Sequence, residues 1–176
     1  MKIGVMQGRL LPKYKGRYQA HPFGYWQKEF FLANNLGLDF IEFILDFEDF
    51  ERNPLLTESG VKQILNISKK TGVAVKSICA DYFMHAPIHS MNKKISKNSI
   101  DVLNKLLFNS KKLKITDIVI PCVDESALKD DEDIERLLCN LKSAISAVSF
   151  SLAFNTSSDR QALSAEAPQT KIAIPR

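Results

Sequence analysis

Short runs of β-branched and apolar residues alternate with longer stretches of helical periodicity four times along the chain. The predicted strands lie at residues 2–6, 38–43, 73–79 and 115–120, and the predicted helices at about 25–36, 58–70, 94–113 and 130–148. The strands begin about 35 to 42 residues apart, which is the length of one strand–helix unit with its loops. This alternation predicts an α/β fold with a parallel sheet, as part of a (β/α)₈ barrel or of a doubly wound sheet.

Each predicted helix has an apolar face that we expect to pack against the sheet. In the first helix this face contains Trp26, Phe30 and Ala33, and Gly37 and Gly72 are expected to end the first two helices. The expected buried positions of the other helices are Val61, Ile64, Leu65 and Ser68, then Ile100, Leu103, Leu106 and Leu107, and then Ile134, Leu137, Leu138, Leu141, Ile145 and Val148.

The sequence changes character after residue 148. Residues 149–176 are rich in Ser, Ala, Thr and Gln and show no sustained helical period. We therefore predict two regions: the N-terminal half of a barrel over residues 1–148, and an irregular tail over residues 149–176 with at most a short strand at residues 172–174. A truncation or a shift of reading frame would produce such a tail, and a partner-binding role is the alternative interpretation.

Length and composition narrow the class of protein. The chain has 176 residues, of which 45% are hydrophobic and 25% charged, as in an ordinary globular domain. A complete (β/α)₈ barrel takes about 250 residues, so we expect about half of one. Cys79, Cys122 and Cys139 show no CxxC spacing, which argues against a disulfide framework and a zinc knuckle.

Charge and hydropathy bear on the partners and the compartment. The net charge is only +4, and the lysine-rich stretches at residues 93–97 and 111–114 have no interleaved aromatic residues. This pattern favours solvated helix faces over a nucleic-acid interface. The sequence has neither a signal peptide nor an apolar run long enough to span a membrane, so we expect a cytoplasmic protein.

Polar side chains follow the predicted strands, at the edge of a parallel sheet where β/α proteins bind their ligands. Gln7 and Arg9 follow the first strand, Glu42 lies in the second, Asp81 follows the third, and Glu125 follows the fourth. A guanidinium fork suits a phosphate group, and amide and carboxylate groups can bind the hydroxyl groups of a small polar ligand. These five residues are the predicted substrate-binding residues, and no residue is assigned to catalysis.

Several of these positions have structural interpretations as well. A carboxylate at Glu42 is costly to bury unless it is paired, and an ion pair with Arg9 would offset that cost. Cys79 is expected to be a small core residue. His85 and His89 lie on either side of Pro87, which disfavours a shared helix face, so we predict no metal site from this pair.

A family resemblance adds to these observations. It is carried by the ordered segments MKIGVMQGRL, the helix with Trp26, Phe30 and Ala33, LGLDFIEF, the Asn53-Pro54-Leu55 turn, VKSICADYFM and IVIPCVDES. Together they resemble the N-terminal half of the sugar-phosphate isomerase/epimerase proteins, in the xylose-isomerase-like TIM-barrel superfamily that also includes endonuclease IV-type enzymes. The resemblance covers about residues 1–148.

The resemblance implies a specific chemistry for full-length relatives. They use a divalent metal such as Mn²⁺, Mg²⁺ or Zn²⁺, held by residues of the later strands, and two glutamates that move a proton beside a carbonyl group of a sugar or sugar phosphate. No residue of this chain matches those ligands or those glutamates. The resemblance therefore implies an isomerase or epimerase fragment that is inactive on its own, with Gln7, Arg9, Glu42, Asp81 and Glu125 contacting or supporting the sugar.

Two other interpretations remain. A half-barrel of four units would leave the first and fourth strands as sheet edges, so the chain could associate with a second copy or with a separate second half. An endonuclease IV-like DNA repair enzyme would require clustered metal-binding histidines, and the chain has three histidines in all.

Overall fold

The computed structural model describes residues 1–155 and 171–173, with side chains through residue 147. Five strands alternate with helices. The strands are β1 (Gly4–Met6), β2 (Phe40–Ile44), β3 (Ala74–Cys79), β4 (Asp117–Val119) and β5 (Lys171–Ala173). The helices are α1 (Gln27–Asn35), α2 (Glu58–Thr71), the single turn α3 (Tyr82–His85), α4 (Lys93–Leu113) and α5 (Asp131–Asn155), and short 3₁₀ turns span Phe50–Arg52, Pro54–Leu56 and Asp124–Ser126.

The strands form one sheet in the order β1-β2-β3-β4-β5, and every neighbouring pair is parallel. Sequential order with a helix in each connection is the topology of a (β/α)₈ barrel and differs from that of a doubly wound sheet, in which the strand order reverses. The predicted α/β fold and partial barrel are therefore confirmed. The register shifts between Ile41 and Glu42 in β2, where one extra residue lies opposite β3.

The helix ends follow local sequence signals. The Thr57 hydroxyl caps α2 by accepting a hydrogen bond from the Gly60 N–H at 3.1 Å, and Asn92 caps α4 in the same way. Gly72 ends α2 with a φ of +75°, and Gly37 follows α1 with a φ of +71°, as predicted from the sequence.

The core lies between the sheet and the helices on one of its faces. Phe43 of β2 packs against Trp26, the residue before α1, and against Phe30 on α1, with ring centroids 5.6 and 6.5 Å apart. Leu103 and Leu106 of α4 are fully buried in the same apolar cluster. The predicted inner faces of α1 and α4 are confirmed, with Ile100 only partly buried.

Parts of the other two predicted faces are wrong. Leu65 is exposed on α2, and on α5 only Leu137 and Leu141 of the predicted residues are buried, while Ile134, Leu138 and Ile145 are exposed. The helical period shows which side of a helix is apolar. The sheet covers only the middle of that side, so apolar residues near its margins stay exposed. Val148 lies beyond the described side chains.

The region after residue 148 also differs from its prediction. α5 continues past residue 148 to Asn155, and the predicted short strand forms as β5 beside β4. The edges of the described sheet are therefore β1 and β5, and the prediction that β4 is an edge is wrong because β5 covers it. Residues 156–170 and 174–176 lie outside the described part of the chain, and for them the predicted tail stays a prediction.

Candidate functional site

A cleft of about 270 Å³ opens beyond the carboxyl ends of β2 and β3. Its lining consists of Arg17, Asp46, Phe47, Glu48, Asp81, Met84 and His85. The segments after the two strands lie side by side because the Leu45 N–H donates to the Cys79 carbonyl and the Tyr82 N–H donates to the Leu45 carbonyl. These backbone hydrogen bonds bring the two carboxylates of Asp46 and Asp81 to the same cleft.

Asp46 is held rigidly on the β2 side. One carboxylate oxygen accepts a hydrogen bond from the His21 N–H at 2.7 Å, and the other lies 3.7 Å from the Arg17 guanidinium. Burial raises the pKa of Asp46, and the nearby carboxylates of Asp81 and Glu48 add to that rise, whereas the His21 N–H and Arg17 oppose it. The cleft is therefore a place where negative charges already repel one another.

Asp81 lies opposite, on the β3 side. Its Oδ2 accepts a hydrogen bond from Gln19 Nε2 at 3.3 Å, and its Oδ1 accepts one from the Cys79 thiol at 3.0 Å. Gln19 Oε1 in turn accepts from the Arg9 guanidinium at 3.4 Å. The hydrogen bond from Arg9 requires Oε1 of Gln19 at that side, so the NH₂ group of the same amide faces Asp81. Gln19 therefore orients the Asp81 carboxylate from a loop that is far away in the sequence.

The loop between β1 and α1 supplies the other polar contacts of the cleft. A tight turn pairs Tyr14 with Arg17, and its two central residues, Lys15 and Gly16, have φ values of +48° and +81°. Lys15 pairs with Glu48 and Asp49, beyond the end of β2. The loop is thus fixed across the cleft by contacts from charged side chains.

Beneath this loop lies a buried carboxylate that sequence analysis missed. Glu29 of α1 is fully buried and accepts hydrogen bonds from the Gly8 N–H at 2.8 Å and the Leu10 N–H at 3.0 Å. Burial raises the pKa of Glu29, and these N–H groups partly oppose the rise. Its spacing from Trp26 places it beside the predicted inner face of the helix, which is the signal that could have revealed it.

Aromatic rings form one wall of the cleft. Phe47 is 43% exposed and packs against Tyr82 and His85, with ring centroids 5.5 and 5.4 Å apart. His85 also lies 3.6 Å from Glu125. The apolar ring can pack against C–H groups of a ligand, and the two carboxylates can accept hydrogen bonds from its hydroxyl groups.

The five predicted residues reach this region to different degrees. Asp81 lines the cleft. Arg9 is linked to it through Gln19, and Glu125 lies beside the cleft residue His85. Gln7 is fully buried, where its Oε1 accepts from the Ile44 N–H and contacts His21. Their role in substrate binding stays a prediction.

The expected ion pair between Glu42 and Arg9 is wrong. The Glu42 residue is only partly buried, and Arg9 donates to Gln19 instead. No ion pair joins the two among the side chains that the structure describes. Of the residues that line the cleft, sequence analysis predicted only Asp81 as a substrate-binding residue; the others are Arg17, Asp46, Phe47, Glu48, Met84 and His85.

The residues of the cleft do not fit a metal site. Within residues 1–155 and 171–173, no group of three or more His, Cys, Asp or Glu side chains is arranged to hold a metal ion. Asp46 lies beside the Arg17 guanidinium, and Asp81 accepts hydrogen bonds from the Cys79 thiol and from Gln19. No helix in this described part is long and apolar enough to cross a membrane.

Comparisons with known proteins agree with the fold. No protein-family model matches the sequence, and no curated protein shows significant similarity to it. Solved structures do match, among them 3-keto-D-glucoside 4-epimerase YcjR from E. coli, at 16% identity and a TM-score of 0.59 over 85% of this chain and 53% of that chain. D-psicose 3-epimerase from Clostridium cellulolyticum H10, in complex with D-tagatose, matches at 15% identity and a TM-score of 0.62 over 85% and 49% of the two chains.

A third match is L-ribulose 3-epimerase, at 16% identity and a TM-score of 0.54 over 85% of this chain and 46% of that chain. The chain therefore spans about half the length of the sugar epimerases that it matches. These likenesses show that the chain has the partial (β/α)₈-barrel fold that the sequence predicts.

Proposed function

We propose that this chain carries the sugar-binding part of an epimerase- or isomerase-type site and is inactive on its own. The observation that carries the proposal is the convergence of Asp46 and Asp81 on one cleft, beyond the carboxyl ends of β2 and β3. That edge of the sheet is where barrels of this type bind substrates. The structural neighbours act on sugars or sugar derivatives, according to their names.

The chemistry of the cleft suits a polyhydroxylated ligand. Asp46 and Asp81 are hydrogen-bond acceptors held in place by the His21 N–H and by Gln19, so they are preorganised to bind hydroxyl groups. Phe47 offers an exposed ring against which the C–H groups of a sugar would pack. The divalent metal of full-length relatives finds no fitting ligand set among the described residues, so the proposal is limited to binding.

Substitution of Asp81 by Asn tests this function. We expect the unmodified chain to bind D-fructose or D-tagatose at roughly millimolar Kd, and Asp81→Asn to weaken binding about tenfold because a charge-assisted acceptor is lost. Titration calorimetry and chemical-shift perturbation measure both values. Asp101→Asn, at an exposed position of α4, is the matched control and should bind as the unmodified chain does.

Two results would contradict the proposal. If neither sugar binds, the cleft is not a sugar site. If the purified chain interconverts ketose epimers at a rate that Asp81→Asn and Asp46→Asn both abolish, the chain is an enzyme and more than a binding part.

A second candidate function is assembly into a larger barrel. Ile134 and Leu138 project from α5 with 41% and 42% exposure, and β1 is an edge of the described sheet. Both features favour association with a second copy. Light scattering should show a dimer of the unmodified chain. Leu138→Glu should shift it to a monomer, whereas Glu135→Gln, on the same helix, should leave it dimeric. If the unmodified chain is a monomer at high concentration, this function is excluded.

A further inference from the structure

The charges that line the cleft are strongly unbalanced. Asp46, Glu48 and Asp81 contribute three carboxylates and Arg17 one guanidinium, so with His85 neutral the ionised lining has a formal charge of −2, from three negative charges and one positive. Glu125 adds a further carboxylate beside His85. A ligand entering this cleft therefore meets a negative potential.

The cations nearby are already engaged. Arg17 lies 3.7 Å from Asp46, and Lys15 lies 3.1 Å from Glu48 and 3.5 Å from Asp49. Arg9 is outside the cleft lining and donates to Gln19. A phosphate group would compete with these carboxylates and with Gln19 for the same cations, in a lining that carries more negative than positive charge.

Phosphate esters and free sugars differ in charge, and a negatively charged lining repels the one that is negative. A phosphate monoester carries a charge of about −1.5 to −2 at neutral pH, whereas a free sugar has only hydroxyl donors to offer to carboxylates. We propose that the cleft selects an uncharged, unphosphorylated sugar and rejects its phosphate ester. This inference rests on the proposed sugar-binding function and names the class of sugar.

The salt dependence of binding provides the test. D-fructose and its 6-phosphate ester are titrated into the full chain at low and at physiological ionic strength. At low ionic strength we expect the ester to bind at least about tenfold more weakly than the free sugar, because like charges repel and are then little screened. Added salt should strengthen ester binding, since it screens this repulsion, and should leave the free sugar unchanged.

A variant separates the cleft charge from other effects. Glu48→Gln removes one negative charge from the lining and should reduce the difference between ester and free sugar by several-fold, whereas Glu135→Gln on α5 should not. If the ester binds as tightly as the free sugar, and added salt weakens it, the lysines and arginines of the loop recognise phosphate and the inference is wrong while the sugar site stands. If neither compound binds, the proposed function itself fails.

Discussion

The Gly8→Ala variant is expected to lose about 3 kcal/mol or more of its free energy of unfolding. Gly8 has a φ of +85°, a region that disfavours residues with a Cβ atom. An added Cβ would lie 2.0 Å from the Tyr18 carbonyl oxygen and 2.9 Å from that of Ala20, and both are backbone atoms that cannot rotate away. The loop between β1 and α1 would have to move as a whole.

Gly16→Ala is the matched control for this prediction. Gly16 has nearly the same φ, +81°, but no atom of the described part of the chain lies within 4 Å of the position of an added Cβ. We expect it to cost only about 1 kcal/mol, the conformational penalty alone. Urea unfolding curves measure both free energies, and equal losses in the two variants would show that the contact with the Tyr18 carbonyl is not the cause.

The Gly8 substitution should also affect the cleft. Tyr18 and Ala20 lie on either side of Gln19, which orients Asp81, so a displaced loop separates Gln19 from that carboxylate. At a temperature where Gly8→Ala remains folded, sugar binding should be weaker than in Gly16→Ala. The comparison links the backbone geometry of the loop to the site that the loop completes.

The sheet and the helix faces were predictable because they depend on short-range patterns. The β-branched residues of β3 and the spacing of Trp26, Phe30 and Ala33 on α1 encode their secondary structure locally. The same reasoning failed for Leu65 and Ile134, because periodicity shows which side of a helix is apolar and says nothing about which neighbouring element covers it.

The candidate site was less predictable because its contacts are distant in sequence. The Gln19–Asp81 hydrogen bond joins residues 62 apart, and the contact from the His21 N–H to Asp46 joins residues 25 apart. Both donors lie in a loop without strand or helix periodicity. Position after a strand was a sufficient signal for Asp81, but no local pattern indicates that Gln19 reaches it.

A titratable group with a strongly shifted pKa lies beneath this loop. His21 is fully buried, in contact with the rings of Phe23 and Phe43, and burial lowers its pKa to about 3. Gln7 Oε1 already accepts from the Ile44 N–H, so the amide oxygen faces His21 and the Nδ1 atom carries the proton. His21 Nε2 is buried and has no hydrogen-bond partner among the described residues.

This environment gives the pH dependence of stability a definite sign. In the unfolded chain His21 takes up a proton below about pH 6.5, whereas in the folded chain it stays neutral down to about pH 3, so the unfolded state gains protons first as the pH falls. The contribution of His21 to the free energy of unfolding is fully present above about pH 6.5 and is lost as the pH falls from there to about pH 3. Asp46 and Glu29 have raised pKa values, so stability from them falls as pH rises, which opposes this trend.

His21→Phe isolates the histidine contribution, since Phe keeps a ring in the apolar contact and cannot titrate. We expect the unmodified chain to lose about 2 kcal/mol more than this variant between about pH 7.5 and pH 5, from the His21 shift alone. Because Asp46 and Glu29 remain in both proteins, the difference between their urea-derived free energies removes the opposing contribution. His85→Phe, at an exposed position, controls for the loss of an imidazole from the chain. Parallel pH profiles for the unmodified chain and His21→Phe would mean that the His21 imidazole accepts a proton in the folded protein as readily as in the unfolded one, and so is not buried as the structure shows.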